Sequence, residues 1–203
     1  MNRLFILSGC NGSGKTTASY SLLPDLLECS EFVNSDEFAK SLSPFDPSAA
    51  SVIASRYMLM KIKYLLSQKK DFIVETTLAT RSLTNTIKEA QSLGYEVTLL
   101  YFWLNSVELA INRVKKRVES GGHNISEDVI RRRYIMGLKY FFEIYSPLCN
   151  RWVLADNSKS PFVVVAEGNK DKIQIKDEEK YAIIRKICYP EGPAPAPVPE
   201  GAQ

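Results

Sequence analysis

The chain has 203 residues, with a hydrophobic content of 45% and a charged content of 24%, which together fit one globular domain with a lid and a tail. Its net charge of +3 is too small to indicate the strongly basic face of a nucleic-acid-binding protein, so a nucleic-acid partner is not expected. Four widely spaced cysteines without a C-x-x-C pair, together with a single histidine, indicate free thiols and no zinc site.

The first predicted element is a short buried strand at residues 4–7, which leads directly into the sequence G-C-N-G-S-G-K-T at residues 9–16. This segment matches the phosphate-binding P-loop pattern G-x-x-x-x-G-K-[ST], and residues 17–23 after it can open a helix. The alternative, a glycine-rich turn with an unrelated lysine, does not account for this strand-loop-helix order. The sequence therefore predicts a site for a nucleoside triphosphate and Mg²⁺. The residues expected to contact the nucleotide are Gly9, Asn11, Gly12, Ser13, Gly14, Lys15, Thr16 and Thr17.

Residues 7–10, Leu-Ser-Gly-Cys, also match the lipidation box of a bacterial lipoprotein signal. The apolar run before this box has only four residues, whereas the apolar region of a signal peptide needs about 7–15. No other stretch approaches the roughly 18 continuous apolar residues of a membrane span. We therefore expect a soluble, cytoplasmic protein without a membrane partner.

Further along the chain, apolar runs that are short enough for strands alternate with longer stretches of helical periodicity. The runs lie at residues 32–33, 72–74, 97–104 and 152–155, and two of the helical stretches lie at 48–69 and 81–93. Such alternation is typical of parallel strands joined by helical crossovers. Together with the P-loop, it predicts an α/β fold of the P-loop NTPase type, with a five-stranded parallel sheet flanked by helices.

The pattern changes after residue 156. Two short runs at residues 162–166 and 172–176 indicate a C-terminal β-hairpin, and a short helix is expected at about 178–187. The last stretch, residues 190–203, is rich in Pro, Ala and Gly and is expected to be disordered. The sequence therefore predicts a single domain at residues 1–189, followed by this tail.

Three of the predicted strands lead into an acidic residue: Asp36, Glu75 and Asp156. Ligands of parallel α/β sheets lie beyond the carboxyl ends of the strands, where an acid can orient or deprotonate an acceptor. Asp36 is the candidate general base, and a helix N-cap is the alternative role. Glu75 is assigned to contact with Mg²⁺ or substrate, with a strand-end cap as the alternative. For Asp156, at the end of the last parallel strand, a turn role is favoured.

A helical lid is predicted at about residues 105–146, with Gly121-Gly122 as a point of movement between its two helices. Its basic residues between 113 and 133 are Arg113, Lys115, Lys116, Arg117, Arg131, Arg132 and Arg133. Consecutive residues step by about 100° around a helix, so the three adjacent arginines cannot all face one ligand. A lid arginine placed on the transferring phosphoryl group can contribute about 10³-fold in rate. A solvated charged face is the alternative for the other basic residues.

Several short motifs occur together in an order that resembles the zeta-toxin-type P-loop kinases. They are G-C-N-G-S-G-K-T-T at residues 9–17, N-S-D-E at 34–37, L-S-P-F-D-P at 42–47, E-T-T-L at 75–78, R-V-x-x-R-V-x-x-G-G-H at 113–123 followed by R-R-R-Y at 131–134, and D-N-S at 156–158. The resemblance spans about residues 3–165. It implies a kinase fold with a helical lid and ATP-dependent phosphorylation of a hydroxyl. Some members of that family phosphorylate UDP-N-acetylglucosamine and act as toxins that an antitoxin protein counters.

Carried over position by position, the resemblance implies three groups of site residues. Those that hold phosphate and Mg²⁺ are Lys15, Thr16 and Glu75. Those that face the acceptor are Asp36 as the base, Glu75 and Thr76. Those that clamp the phosphates from the lid are Arg117 and one of Arg132 or Arg133. Of the lid arginines, catalysis is assigned to Arg117 and Arg133, and nucleotide binding to Arg113 and Arg132.

The leading hypothesis is a kinase that uses MgATP to phosphorylate a hydroxyl of a small molecule, with UDP-N-acetylglucosamine or another nucleotide sugar as the candidate acceptor and an antitoxin as a candidate partner. Related kinases of chloramphenicol and of polynucleotide 5′-hydroxyls share the P-loop and the second-strand aspartate, so these motifs do not choose the acceptor. A polynucleotide 5′-hydroxyl kinase is the alternative enzyme, but the modest net charge and the lack of an aromatic and basic groove motif argue against it. An ATP-binding switch or hydrolase without an acceptor is the alternative of a different class.

Overall fold

The computed structural model describes residues 1–21, 28–46, 49–122 and 124–192. The predicted C-terminal tail lies outside these residues from position 193 onward, and so does His123. Its helices in these ranges are α1 (Lys15–Ser21), α2 (Ser35–Leu42), α3 (Ser51–Ser67), α4 (Thr84–Ser92), α5 (Val107–Glu119), α6 (Glu127–Tyr140), a π-helical turn (Phe141–Tyr145), α7 (Ser146–Leu148) and α8 (Glu178–Cys188).

Seven strands form one mixed sheet in the order β2-β3-β1-β4-β5-β6-β7. Their bounds are β1 (Asn2–Ser8), β2 (Phe32–Asn34), β3 (Phe72–Thr76), β4 (Tyr95–Trp103), β5 (Arg151–Asp156), β6 (Val163–Asn169) and β7 (Ile173–Ile175). The first five strands pair in parallel, which confirms the predicted α/β class and parallel core. The predicted hairpin, β6 and β7, is also present, but it extends the same sheet because β6 pairs antiparallel with β5.

Alternating residues of β1 face opposite sides of the sheet, and both sides are covered. Leu4 and Ile6 are fully buried in the larger core, which includes Ile62 of α3 and Ile111 of α5. Phe5 and Leu7 are buried in the smaller core on the other side, together with Ala18 of α1. Burial on both faces is what makes this strand a near-continuous apolar run. The core therefore fixes β1, and β1 aims the glycine-rich loop at the carboxyl edge of the sheet.

The two helices of the predicted lid, α5 and α6, pack against each other and on the larger core through their inner faces. Ile111 and Val114 of α5 and Ile130 and Leu138 of α6 are buried. Gly137 of α6 lies so close to the Thr77 carbonyl that a Cβ at this glycine would be 2.5 Å from that oxygen. This close approach places α6 beside the end of β3. None of the helices in the described part of the chain has the length and apolar content that a bilayer span requires.

Candidate active site

The segment between β1 and α1 is a tight loop whose course depends on three glycines. Gly9, Gly12 and Gly14 all have positive φ, at +136°, +80° and +86°. These conformations are costly for residues with a side chain. The loop is also enclosed, because a Cβ at Gly12 would lie 2.5 Å from the carbonyl oxygen of Ala110 in α5. The predicted P-loop is therefore a tight, enclosed loop with no room for side chains at these positions.

The side chain of Lys15 lies against the inner side of this loop. Its Nζ donates a hydrogen bond of 2.9 Å to the carbonyl oxygen of Cys10, and the residue is buried. The ammonium group therefore lies within the ring of backbone groups that receives phosphates in P-loop proteins. Burial raises the pKa of the Cys10 thiol to about 11, so the neighbouring sulfur stays protonated at neutral pH and is not a nucleophile.

The loop holds a buried polar atom that lacks a partner. The Oγ of Ser13 is fully buried and makes no hydrogen bond to any residue in the described ranges. It lies inside the loop, 2.6 Å from the position that a Cβ at Gly9 would occupy. A buried hydroxyl without a partner costs about 1–3 kcal/mol, and a phosphate oxygen in the loop would supply the missing acceptor. This geometry fits an anion in the loop.

Thr16, in the first turn of α1, and Glu75, near the end of β3, form a close pair. The Thr16 hydroxyl lies 3.0 Å from each carboxylate oxygen of Glu75. The pair exists because β1 and β3 are parallel neighbours in which Leu7 is opposite Glu75, so the end of β3 lies beside the start of α1. Burial raises the pKa of Glu75, while the Lys15 charge and the Thr16 hydrogen bond lower it. The result is a buried carboxylate beside a hydroxyl and an ammonium group.

A hydroxyl next to a carboxylate is a donor set that suits Mg²⁺. Among residues 1–21, 28–46, 49–122 and 124–192, no group of three or more His, Cys, Asp or Glu side chains is arranged to hold a metal ion. Magnesium usually takes one or two carboxylates from the protein and completes its octahedron with phosphate oxygens and water. Thr16 and Glu75 are residues of the required kind, and they fit an ion that bridges to a bound triphosphate.

Asp36 lies near the same edge of the sheet, in the first turn of α2. Asn34 is opposite Glu75 in the β2–β3 pairing, and Asp36 follows two residues later. The charges of Asp36 and Glu37 both raise the pKa of Glu75, which shows that these carboxylates are within electrostatic reach of one another. Asp36 is exposed to solvent, so its carboxylate is accessible to an acceptor that approaches from outside.

The alternative role of Asp36, as the N-cap of α2, is wrong. Asn34 is the N-cap, because its Oδ1 accepts hydrogen bonds from the backbone N–H groups of Asp36, at 2.8 Å, and Glu37, at 3.4 Å. The helix therefore begins two residues earlier than an Asp36 cap would require. This leaves the Asp36 side chain without a capping role.

Thr76 and Thr17 have different surroundings. Thr76 ends β3, and its Oγ1 accepts a hydrogen bond of 3.2 Å from the N–H of Leu78. Leu78 is buried with φ at +55°, an uncommon conformation for a residue with a side chain. Such strain often occurs at functional sites, and here it turns the chain sharply after Thr76. Thr17 is exposed in the first turn of α1, next to Thr16.

The structure separates the three consecutive arginines of α6. The Nη1 of Arg133 donates a hydrogen bond of 3.0 Å to Oδ1 of Asn11, so this guanidinium lies on the P-loop. Arg131 instead forms an exposed ion pair of 2.9 Å with Glu108 of α5. Arg132 is exposed. Arg133 is therefore the residue of this triplet that the lid helix brings to the phosphate site.

The two arginines of α5 also differ in their positions. The guanidinium of Arg113 donates to two backbone carbonyls of the loop after β5, those of Asn157 at 3.0 Å and Ser158 at 2.9 Å. Arg113 therefore links the lid to this loop. Arg117 is exposed one turn later, close to the end of α5, and its carbonyl accepts a hydrogen bond of 2.8 Å from the N–H of Gly122.

Asn157 is a site residue that the sequence analysis did not assign. Its Nδ2 donates a hydrogen bond of 2.7 Å to the carbonyl oxygen of Ser13 in the P-loop, 144 positions away in the chain. The only sequence signal for it is its place in the D-N-S motif directly after a buried strand. Asp156 has the expected turn role, because its Oδ1 accepts a hydrogen bond of 2.9 Å from the Ser158 N–H, and it also pairs with Lys180 at 3.1 Å.

A groove opens beside this site, between β2, α2 and α3. Its volume is about 180 Å³, and its lining includes Asn34 and Glu37, which flank Asp36 in the sequence, and Phe38. Apolar and polar groups therefore meet in this groove, as they do in sites for small organic molecules, although Asp36 itself is not among its lining residues.

Comparison with known proteins agrees with this geometry. A family model described as an AAA domain (AAA_33) matches residues 4–134, more than half of the chain. An uncharacterized protein of Haemophilus influenzae (strain ATCC 51907 / DSM 11121 / KW20 / Rd) is 35% identical over 133 residues, which cover 66% of this chain and 93% of that protein.

Two solved structures share the fold. The crystal structure of AvrRxo1-ORF1:-ORF2 with ATP is similar with a TM-score of 0.72 and 19% identity, over 97% of this chain and 66% of that chain. A structure from the PezAT chromosomal toxin-antitoxin system of Streptococcus pneumoniae is similar with a TM-score of 0.68 and 17% identity, over 95% of this chain and 80% of that chain. The chain thus spans slightly less than two thirds of the AvrRxo1-ORF1:-ORF2 chain it matches. These similarities confirm a P-loop kinase-like fold.

Proposed function

The chain belongs to the AAA domain family (AAA_33), and we propose that it is an ATP- and Mg²⁺-dependent kinase that transfers the γ-phosphoryl group to a hydroxyl of a small molecule. The observation that carries this proposal is the Thr16–Glu75 pair at the carboxyl edge of the sheet, with Asp36 within electrostatic reach of Glu75. A P-loop by itself supports only nucleotide binding. The additional, solvent-accessible carboxylate of Asp36 supports the binding of an acceptor hydroxyl on the far side of the phosphates.

On this proposal the P-loop binds and orients the triphosphate. Its backbone N–H groups and Lys15 hold the β- and γ-phosphates, and the Ser13 hydroxyl donates to a phosphate oxygen. Thr16 and Glu75 would hold Mg²⁺, which would neutralise phosphate charge when bound. Arg113 and Asn157 fix the loop after β5 against the P-loop, which limits movement of the nucleotide site.

Asp36 accepts the proton of the acceptor hydroxyl as that oxygen attacks the γ-phosphorus. The new bond is acceptor oxygen to phosphorus, and the bond that breaks joins the γ-phosphorus to the β–γ bridging oxygen, so ADP leaves. Arg133, which the lid holds on Asn11, stabilises the negative charge on the transferring group. Arg117 and Arg132, exposed on the same lid, are assigned to the phosphates in a more closed arrangement of the lid, which Gly121-Gly122 would permit.

The acceptor is assigned to the groove between β2, α2 and α3. Apolar Phe38 and polar Asn34 and Glu37 fit an organic hydroxyl compound with a polar edge, and Thr76 lies on the same sheet edge. A nucleotide sugar such as UDP-N-acetylglucosamine is the first candidate, because the sequence resembles kinases that use it. A protein partner of the antitoxin type is part of this proposal, in analogy to the PezAT toxin-antitoxin system.

The test is ADP release from MgATP in the presence of a panel of nucleotide sugars, nucleosides and hydroxylated antibiotics. We expect one compound class to stimulate ADP release and to gain one phosphate by mass spectrometry. Asp36→Asn should lower this transfer by about 10²–10⁴-fold while ATP affinity stays within a factor of about three. Asp171→Asn, the same change at an exposed carboxylate in the β6–β7 turn, is the control and should keep full activity.

Three outcomes would contradict the proposal. Transfer to the 5′-hydroxyl of an oligonucleotide, and to no small molecule, would identify a polynucleotide kinase. ADP release that needs no acceptor and survives Asp36→Asn would identify a switch or hydrolase. Full acceptor turnover by the Asp36→Asn variant would show that another group is the base.

A further inference from the structure

Helix α3 exposes an apolar surface that the proposed phosphotransfer does not use, apart from Tyr57 at the groove assigned to the acceptor. Its inner face is fixed on the rest of the protein by the buried residues Ala54, Ile62, Leu65 and Leu66. Its outer face carries six exposed large hydrophobic side chains, which are Val52, Ile53, Tyr57, Leu59, Met60 and Tyr64. Contiguous exposed apolar surface of this kind on a folded protein marks an interaction site.

Four of these residues form a continuous stripe along the helix. Ile53, Tyr57, Met60 and Tyr64 are spaced by four, three and four residues, so they lie within about 60° of one another around the helix axis. Their exposed fractions are 56%, 50%, 65% and 59%. The same spacing forms the apolar seam between helices that pack side by side. The stripe therefore has the shape that accepts another helix.

The charged residues of helix α3 itself all have one sign, and Glu31 and Glu37 of neighbouring elements lie on the side of Lys61. Helix α3 contains Arg56, Lys61 and Lys63 and no acidic residue. Arg56 and Lys63 are exposed and lie along one edge of the stripe, whereas Lys61 lies on the other side and pairs with Glu31 at 3.5 Å. Basic residues along such a seam select acidic residues at the facing positions of a partner.

We propose that the outer face of α3 binds an amphipathic α-helix of another protein, whose apolar seam is flanked by Asp and Glu. A second copy of this chain fits poorly, because in an antiparallel pair the edge with Arg56 and Lys63 would face its own copy. A lipid surface fits poorly as well. Only two exposed basic residues of the helix, Arg56 and Lys63, flank the stripe, fewer than the roughly 4–8 typical of a lipid-binding helix, whereas tyrosines such as Tyr57 and Tyr64 are enriched in protein interfaces.

Tyr57 of the stripe is held in place by a neighbouring helix. The ring of Tyr57 stacks on Phe38 of α2, with centroids 4.5 Å apart and planes 22° apart, and both rings line the groove of about 180 Å³. Tyr57 is thus packed against α2 where the stripe meets the groove assigned to the acceptor, and of the four stripe residues it is the one that lines this groove. Rigid aromatic residues beside a pocket are typical of the residues that dominate binding energy.

The test uses two synthetic helical peptides of three heptads, with Leu at both seam positions and either Glu or Lys at the flanking positions. Binding of each labelled peptide to the full chain is measured by fluorescence anisotropy. We expect the Glu peptide to bind at least about tenfold more tightly than the Lys peptide, and this preference to shrink as salt is added. The double variant Ile53→Glu/Met60→Glu should weaken Glu-peptide binding at least about tenfold.

Two further variants make the result specific. Arg56→Glu/Lys63→Glu should reverse the preference, so that the Lys peptide binds more tightly. Leu93→Glu/Ile183→Glu changes two side chains that are each 46% exposed but lie outside α3, and it should leave peptide binding unchanged. All changed side chains are exposed, and circular dichroism checks that each variant is folded.

Several outcomes would overturn this inference. They are equal binding of both peptides, no binding of either, or equal weakening by the control variant. Sedimentation that shows a dimer lost in Ile53→Glu/Met60→Glu would identify a second copy as the occupant. Binding of vesicles of phosphatidylglycerol that is lost in the same variant, without peptide binding, would identify a lipid surface. None of these measurements depends on kinase activity, so their failure leaves the proposed function untouched.

Discussion

The hydroxyl of Thr16 lies 3.0 Å from both carboxylate oxygens of Glu75, and the Glu75 side chain is almost completely buried. This relationship joins the first turn of α1 to the end of β3 and puts a carboxylate where a triphosphate and its metal ion would be. Burial is the largest influence on Glu75 and raises its pKa, so the folded protein holds this ionised carboxylate at a cost.

Glu75→Gln is expected to stabilise the protein at neutral pH. The unfolded chain ionises Glu75 at its ordinary pKa, whereas the folded chain ionises it at a higher pKa, so folding loses stability as pH rises through this interval. Glutamine keeps an oxygen for the Thr16 hydroxyl and has no charge. A gain of about 1 kcal/mol would raise Tm by roughly 2–4 °C at pH 7 to 8 in the absence of Mg²⁺.

The measurement is a series of thermal unfolding curves between pH 4 and pH 8. The gain should shrink towards zero as pH approaches 4, because glutamate is then mostly protonated in both states. The same variant should lose Mg²⁺-dependent activity by about 10²-fold or more. A variant that is less stable at every pH would show that the Glu75 charge is well satisfied in the folded protein.

Arg133→Lys is expected to lower the turnover number by about 10²-fold or more, with little change in ATP affinity. Lysine keeps the charge, but it lacks the planar fork that can contact both Asn11 and a phosphate oxygen. Arg131→Lys is the matched control, because Arg131 forms an exposed pair with Glu108 and such pairs contribute only about 0–1 kcal/mol. Steady-state kinetics and ATP titration separate the two effects. Equal losses in both variants would argue against a specific role for Arg133.

Gly14→Ala is expected to weaken ATP binding at least about tenfold, whereas Gly94→Ala should not change it. Both glycines have φ near +85°, so each alanine has a similar backbone cost of about 1–2 kcal/mol. The two positions differ in the free space around them. A Cβ at Gly14 would meet Nδ2 of Asn157, while a Cβ at Gly94 would meet nothing within 4 Å. Urea unfolding measures the stability cost of each alanine, and isothermal titration with ATP measures the change in ATP affinity. ATP affinity that falls equally in the two variants would mean that backbone strain alone causes the loss.

Periodicity and motif spacing were sufficient to predict the sheet and its phosphate loop. Near-continuous apolar runs such as residues 4–7 specify strands that are buried on both faces, and the glycine positions specify the turn after β1, because few other residues adopt positive φ. The hairpin was predicted as well. Its addition to the edge of the sheet was not, because pairing between β5 and β6 depends on which strand is left uncovered in three dimensions.

The candidate site, too, was predicted only in part from the sequence. The sequence placed Asp36, Glu75 and the lid arginines near a P-loop, but it assigned Asp36 a possible capping role that Asn34 has. It also left Asn157 out, since a hydrogen bond to Ser13 across 144 positions has no local signal.

The sequence by itself determined the strands, the P-loop and the chemical types available for phosphotransfer, because these depend on local patterns of glycine, apolar and charged residues. Only the tertiary structure decided which of these residues meet. It placed Arg133 rather than Arg132 on the P-loop, brought Thr16 and Glu75 together, and left one face of α3 exposed. The physical reason is that helix packing fixes the direction of each side chain, and strand order fixes which chain ends become neighbours.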